Sequence, residues 1–465
     1  MTNSSPDNMP MVAPFSGAID PVTVEVIGNA IASIADEMGE TLVRASYSTN
    51  IKERRDCSTV IFDAKGRTLY QAEHIPIHLG SLMGVVEEIL ARHDLATLAE
   101  GDVFIGNDAY TGGGTHLPDI VLASPIFHDG RLVGWATNLA HHADFVDRSH
   151  AHIFQEGLRI PPIRLQTAGV IQQDVFELIL LNCQVPHERR ADIRAQLAAN
   201  SFGVKRFHAL CDRYGVDLLE QAFEELLNYA ERRMRAGIAA IPDGNYRFED
   251  VFECDEFPES LTFHVEIEVR GEEMHLDFRG NPPQVRASLN MVETALLATA
   301  YYAVKTVTDP DAPPNAGLFR PIKVSSSPGS ILSASSPAAV NGRTNTCQRV
   351  VDLVHGALAQ AIPEKIIAAC NGAVVSTTFR GINPRTGEFY VYLETLGGGF
   401  GARATKDGLD GVQVHITNTS NLPIEGLEME YPLRVERYEL VQDSGGCGKW
   451  RGGMGLRRMI RIIGH

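Results

Sequence analysis

The chain has 465 residues, 44% of them hydrophobic, and carries 41 Lys and Arg against 58 Asp and Glu, a formal charge of -17. That length allows large cores divided over two to four lobes. The acidic balance excludes a broad electrostatic grip on nucleic acid or on an anionic membrane, which leaves a small molecule or a protein as partner. No run approaches the roughly 18 consecutive apolar residues of a membrane span. The seven cysteines (Cys57, Cys183, Cys211, Cys254, Cys347, Cys370 and Cys447) are odd in number, scattered and without a CxxC pair. They argue against a disulfide framework or a thiolate zinc site and for a reducing cytoplasm.

Residues 1–18 are rich in Ser, Pro, Asn and Met, lack a basic start followed by an apolar core, and read as a disordered tail. Asp20-Pro21 then caps and opens a helix whose Val24, Ile27, Ile31, Ile34, Met38 and Leu42 form one apolar face. STVIFDAKGRTLYQAE reads as a hairpin about Ala64-Lys65-Gly66, and GSLMGVVEEILARH as one short amphipathic helix. Strands and glycine-rich loops alternate over 103–140, and two helices fill 187–237, closing an N-terminal lobe at 19–240. Next comes period-two alternation at Phe263, Val265, Ile267 and Val269, a turn at Gly271, and then Met274, Leu276 and Phe278, which predicts an antiparallel hairpin. Helices are expected over 290–305 and 347–362. Strand-like runs broken by glycine loops complete a C-terminal lobe, 241–465. Hairpins interspersed with helix pairs, without regular strand-helix alternation, make the class α+β, with antiparallel hairpins and mixed sheets packed with helix pairs.

The run GNDAYTGGGTHLPDIVLASPIF carries the first chemical candidate. Asp129-Gly130 is a strong hairpin turn signal, so 120–128 and 131–140 pair as strands. Counting back from the turn puts Asp119 opposite Ala140, Pro118 opposite His141 and Leu117 opposite His142, across strands about 5 Å apart. The AHHAD stretch thereby returns beside His116 and Asp119. Two imidazoles and a carboxylate without a thiolate suit a divalent ion such as Mn, Zn or Fe, with positions open to water or substrate. Pro118 favours a fixed loop over a helix between His116 and Asp119. The HxxD spacing alone also fits histidines that are simply hydrogen-bonded at a strand end. In an extended strand His141 and His142 face opposite ways, so one of them is the ligand, and spacing leaves the choice open.

His74 and His78, in AEHIPIHLGS, are candidates for proton transfer in the same cleft, with structurally satisfied histidines the equal alternative; Pro76 favours extended structure between them. In GGGFGAR, the backbone of Gly397, Gly398, Gly399 and Gly401, with Arg403 beside it, offers donors to an oxyanion, or forms a tight turn and nothing more. Phe400 breaks a dinucleotide GxGxxG, and Trp450 stands after Gly448-Lys449 where a P-loop needs Ser or Thr. A GxSxG nucleophile motif is also missing from the sequence.

In chain order, NIKERRDCSTVIFDAKGR, QAEHIPIHLGS, GNDAYTGGGTHLPDI, AHHAD, NTCQRVVDLVHGALA, LETLGGGFGARATKDGLDGVQVHITNTSNLPIEGLEMEYPLRVERYEL and DSGGCGKWRGGMGLRR resemble the hydantoinase B / oxoprolinase family, from about Asp20 onward. The resemblance implies a B-type subunit that acts with an A-type ATPase subunit, in a hetero-oligomer such as α2β2. ATP bound on that partner phosphorylates the carbonyl of a cyclic amide (a hydantoin, N-methylhydantoin, 5-oxoproline or lactam), and the B-type chain completes hydrolysis. It also implies a divalent metal on His116, Asp119 and, by spacing, His141, with His74, His78, Asp108 or His142 around it as supporting or proton-transfer groups. The same family includes ATP-dependent ketone carboxylases, so a carboxylase subunit is the alternative, and a mainly structural subunit a third. Two departures stand out: the family's chains commonly continue beyond RRMIRIIGH, and NGRTNTCQR replaces a more usual glycine-asparagine-valine-glutamate run, a change that bears on substrate choice.

Overall fold

The computed structural model describes residues 19–464 except 73, 144–149 and 258; the expected tail, 1–18, lies outside them. Helix α1 (Pro21–Ala45) opens as its sequence dictates: Asp20 accepts a hydrogen bond from the Thr23 amide at 3.0 Å, and Pro21 fills the first turn. The six apolar residues of its predicted face are all buried. A single turn, α2 (Thr49–Lys52), leads into the central sheet.

Seven antiparallel strands form that sheet: β1 (Cys57–Asp63), β2 (Thr68–Gln71), β3 (Val103–Gly106), β4 (Asp119–His128), β5 (Arg131–His141), β6 (Ile163–Thr167) and β7 (Val170–Ile171), in the order β2-β1-β5-β4-β3-β6-β7. Both faces are covered, which is why β1 is buried along its whole length. Ile61 points toward α1 and the long helices α6 (Pro186–Tyr214) and α7 (Val216–Ala239), whereas Val60 and Phe62 pack under α3 (His78–Leu82) and α4 (Val85–Arg92). The single helix expected over 80–93 is two, because Gly84 adopts φ +76, a left-handed conformation that ends one helix and starts the next. Between β7 and α6 lies α5 (Gln173–Leu181), which sequence reading missed; it buries Phe176, Ile179 and Leu180 at the edge of the sheet.

The hairpin turn at Asp129-Gly130 forms with φ +49 and +75, the conformation that an Asp-Gly pair favours. Its register corrects the expected one. His128 pairs with Arg131 and Phe127 with Leu132, as counted from the turn, but a bulge then shifts the pairing so that Ile126 meets Gly134 and Asp119 meets His141.

A second sheet, β11-β10-β9-β8, is built from β8 (Gly244–Phe252), β9 (Leu261–Arg270), β10 (Glu273–Asp277) and β11 (Ile322–Ser325), with only β10 and β11 parallel. Phe263, Val265, Ile267 and Val269 alternate into its core as predicted. Helix α8 (Glu293–Thr308) packs on α3 and on α9 (Arg343–Leu358), which crosses β8 and β9. Two separate hairpins follow, β12 (Val375–Ile382) with β13 (Phe389–Leu396), and β14 (Leu433–Leu440) with β15 (Leu456–Ile462); α10 (Ile424–Glu430) packs against β14. The largest core cluster joins Ile75, Ile77, Leu117, Met234 and Ile238 to the inner face of the second sheet and to α8 and α9. No described helix is long and apolar enough to cross a membrane.

Candidate active site

Asp119 begins β4 and His141 ends β5, so the strand register puts them directly opposite each other. His116 lies in the turn before β4. This turn is held by more than Pro118: the Asn107 side-chain amide donates to the Leu117 carbonyl at 2.9 Å and to the Leu158 carbonyl at 3.0 Å, and its oxygen accepts from the Ile160 amide at 2.7 Å. Gly114 fits against it because a Cβ there would meet the Asn107 carbonyl oxygen at 2.7 Å. One donor atom from each of His116, Asp119 and His141 lies within 4.8 Å of the others, and all three side chains are buried.

Asp119 Oδ2 accepts from Ser81 Oγ and from Arg343 Nη2, each at 3.0 Å. Its Oδ1 is buried without a hydrogen bond and lies 3.0 Å from His116 Nε2 in an orientation that forms none. Burial alone would raise this carboxyl, but His116, Arg343 and His78 outweigh it and hold Asp119 well below the usual carboxylate range. Burial, reinforced by His116, holds His141 well below the ordinary histidine value, and burial takes His78 down to about 4. Near neutral pH the cluster therefore presents an ionised carboxylate and neutral imidazoles at His78 and His141, the protonation states in which these groups bind cations. His116 turns Nδ1 to the Asn341 side-chain oxygen at 3.1 Å, leaving Nε2 toward Asp119. The unbonded Oδ1 and the converging imidazoles fit a divalent cation held by nitrogen and oxygen ligands.

The two adjacent histidines separate as strand alternation requires. His142 lies on the opposite face, with Nε2 3.1 Å from Gln196 Oε1 and Nδ1 3.4 Å from Arg189 Nη1 on α6. His78 joins the cleft: its Nδ1 bonds Ser58 Oγ at 2.8 Å, and its Nε2 lies 3.6 Å from Asp56 and 3.9 Å from Asp119. The remaining candidates lie elsewhere. His74 lines a different cavity with Tyr301 and Tyr302, and its buried Nε2 forms no hydrogen bond. Asp108 is ion-paired to Arg159 and caps the Tyr110 amide. Gly398 and Phe400 donate their amides to the Val412 and Leu409 carbonyls. A Cβ at Gly399 or Gly401 would lie 2.0 Å from the Gly453 oxygen or 1.6 Å from the Ala368 oxygen, so these glycines permit chains to pack backbone to backbone. A Cβ at Gly397 would lie 2.7 Å from the Val412 carbonyl carbon, and Arg403 bonds back to Lys406 and Asp407.

Sequence reading missed Asp56, Asn50 and Arg343. Asp56 directly precedes β1, and its carbonyl accepts from the His141 amide at 3.0 Å; extending the β1–β5 pairing by one residue would have found it. Asn50 donates to the His141 carbonyl at 2.8 Å. Arg343 lies in the very segment that departs from the family pattern, and Asn341 and Asn345 from the same segment also line the cleft. The cleft is also lined by uncharged hydroxyls from Ser376, Thr378, Thr395, Thr417 and Thr419. Among the described lining residues Arg343 is the one Lys or Arg, and it is bonded to Asp119.

The chain thus combines an α+β fold with a buried histidine-carboxylate cluster at the mouth of an antiparallel hairpin. The family model for hydantoinase B/oxoprolinase matches residues 20–465, and the chain belongs to that family. It is 33% identical to the B component of a putative D-/L-hydantoinase from Pseudomonas sp. (strain NS671), over 96% of this chain and 78% of that one. The crystal structure of the ATP-dependent caprolactamase from Pseudomonas jessenii superposes with a TM-score of 0.87 at 32% identity, covering 96% of this chain and 79% of that chain. A nucleotide-free acetone carboxylase structure shares the fold, with a TM-score of 0.86 at 18% identity over 96% of this chain and 62% of that chain.

Proposed function

We propose that this chain is the B-type subunit of an ATP-dependent cyclic-amide hydrolase, opening a hydantoin, 5-oxoproline or lactam ring whose carbonyl a partner A-type ATPase subunit phosphorylates. The observation that carries the proposal is the buried convergence of His116, Asp119 and His141 about an unbonded carboxylate oxygen, in a cleft walled by hydroxyls and amides. Likeness to a hydantoinase component and to a caprolactamase supports the substrate class.

His116, Asp119 and His141 would hold a divalent cation (Mn, Zn or Fe), which when bound polarises a carbonyl or phosphoryl oxygen and makes water acidic near neutral pH. Asp119 stays ionised because His116 and Arg343 outweigh its burial, and Arg343 and Ser81 both donate to its Oδ2. Asn341 fixes the ring of His116, and Asp56 with Asn50 flanks His141. His78, neutral and backed by Ser58, stands beside both carboxylates where it can hold a proton at Nε2. The hydroxyl wall suits the polar edges of a small uncharged ring, and a cleft with one committed cation is a poor nucleotide site, consistent with ATP on the partner.

The test is turnover by the complex of this chain with its A-type partner, supplied with ATP and screened against hydantoins, 5-oxoproline, lactams and ketones. Ring opening that requires ATP and falls at least 100-fold in His116→Ala is expected. Equal turnover by the partner alone would make this chain structural. ATP consumption that needs a ketone and bicarbonate, with no ring opened, would select the carboxylase reading.

A further inference from the structure

A second cluster shares no residue with the cleft. Asp352 projects from α9, Cys370 lies in the segment after it, and His415 sits in the loop before α10 at φ +44. Cys370 Sγ is 3.1 Å from His415 Nε2, and the same nitrogen is 2.9 Å from Asp352 Oδ1. The three donor atoms lie within 4.8 Å of one another, with Asp352 and His415 buried.

Hydrogen bonding alone does not satisfy this arrangement. One imidazole nitrogen carries either a proton or a lone pair. With a proton it serves Asp352 and leaves the thiol proton without that acceptor. With a lone pair it accepts from the thiol and then faces a carboxylate lone pair across 2.9 Å. Asp352 Oδ2 and His415 Nδ1 also lack hydrogen bonds, as does Nδ1 of the neighbouring His355, although Asp352 is only 6% and His415 4% exposed. Of these atoms, Asp352 Oδ2 belongs to the cluster's own carboxylate, and a buried carboxylate oxygen without a partner beside a shared imidazole nitrogen points to a missing cation.

We propose that Asp352, Cys370 and His415 form a second divalent-cation site, of zinc-type chemistry. Thiolate, imidazole and carboxylate are a ligand set that zinc accepts, with a fourth tetrahedral position left over. Tetrahedral bonding would set S···N near about 3.5 Å and N···O near about 3.3 Å, so the cluster need open by only a few tenths of an ångström. Cys370 is half-buried and borders a cavity with Gly399, Gly401 and Trp450, which gives the ion a route in. Binding releases the thiol proton to solvent. The ion would tie α9 to residues 414–417, a loop that Gln348 already holds through the Val414 carbonyl at 2.9 Å. Ile416 in turn accepts from the Ile77 amide, next to His78, and Thr417 lines the catalytic cleft. The second ion therefore fixes one wall of the cleft without touching its ligands.

The test uses the full chain, stripped with chelator and reloaded with Zn2+ or Co2+. The His116 cluster has no sulfur, so Co2+ at the second site is distinguished by a thiolate-to-cobalt charge-transfer absorption. That band should persist in a His116→Ala/His141→Ala double variant and vanish in Cys370→Ser. In the wild-type chain, Zn2+ should slow alkylation of Cys370, followed by peptide mass, at least tenfold, and chelator should restore the rate. No thiolate band on Co2+ loading, a band that survives Cys370→Ser, or Cys370 alkylation indifferent to Zn2+ would each overturn the proposal. These readouts do not depend on turnover, so they stand or fall separately from the function proposed above.

Discussion

Arg343 shows how one buried side chain holds a site together. The residue is 1% exposed, and its guanidinium donates to Thr115 Oγ1 at 2.8 Å through Nε and to Asp119 Oδ2 at 3.0 Å through Nη2. Removing one partner of a buried pair leaves the other charge uncompensated, so Arg343→Met should destabilise the fold by about 3–5 kcal/mol. Arg343→Lys keeps a charge but loses the fork geometry and should cost about 1–2 kcal/mol; urea unfolding of both variants checks the order. Glu156 supplies a pH dependence. Its Oε1 accepts from the Val340 and Asn341 amides at 2.9 and 2.8 Å, yet burial pushes its carboxyl from the ordinary 4.5 up to about 7. A raised carboxyl favours the folded state at low pH, where both states are protonated and no penalty applies. The penalty grows as pH rises from about 4.5 to about 7, reaching roughly 3 kcal/mol. Glu156→Gln keeps the acceptor and removes the charge, so it should match the wild type near pH 4.5 and exceed it in urea midpoint at pH 8. An equal difference at both pH values would show that the Glu156 carboxyl is not raised. Neither residue carries a sequence signal of its own: both matter because of what the fold buries beside them.

Local signals at the level of elements are strong where one turn or one face decides them. Asp20-Pro21 opens α1, Asp129-Gly130 turns β4 into β5, and period-two alternation builds β9. The single-residue bulge in β4–β5 left no such mark, because any residue fits an extended bulge, and it alone moves His141 into register with Asp119. The second cluster was equally hidden, since its ligands come from segments 45 and 63 residues apart in pairs. Helix contacts offer a prediction of the same local kind. Gly203 in α6 is helical and buried, and a Cβ there would lie 2.3 Å from the sulfur of Met38 on α1, itself fully buried. Alanine is intrinsically better than glycine in a helix by about 1 kcal/mol. Overpacking should win, so Gly203→Ala is expected to destabilise by about 1–3 kcal/mol. In a Met38→Ala background the same change should become stabilising by about 1 kcal/mol, a reversal that a four-member urea unfolding cycle would reveal. If the sign stayed the same in both backgrounds, the α1–α6 contact would not be what keeps Gly203 small.

At the scale of the whole molecule, the sequence suggests a division near residue 240, and the packing sets the two stretches against each other. Ile75, Ile77, Met234 and Ile238 are each no more than 3% exposed, within a cluster completed by residues after 250. Arg233 on α7 grips Asp309 through two bonds of 2.6 and 2.7 Å, and a Cβ at Gly317 would lie 1.9 Å from the Leu227 carbonyl oxygen, so α7 meets the later segment at backbone distance. Asn341 and Arg343 reach across the same junction to His116 and Asp119. Separating the stretches would expose that apolar face and leave Asp309 and Arg233 without each other, while the His116 cluster would lose two of its supports. The full chain should therefore unfold in one cooperative transition, with near- and far-ultraviolet circular dichroism coinciding. Residues 19–240 expressed alone should bind a hydrophobic dye and lack near-ultraviolet structure. A 19–240 fragment that is monomeric and unfolds cooperatively would refute this. The His116 cluster would then be assembled within one autonomous lobe, and Arg343 would be an accessory brought to it afterwards. If the fragment fails to fold as expected, the site exists only once both stretches have docked, and its geometry inherits the cooperativity of the entire core.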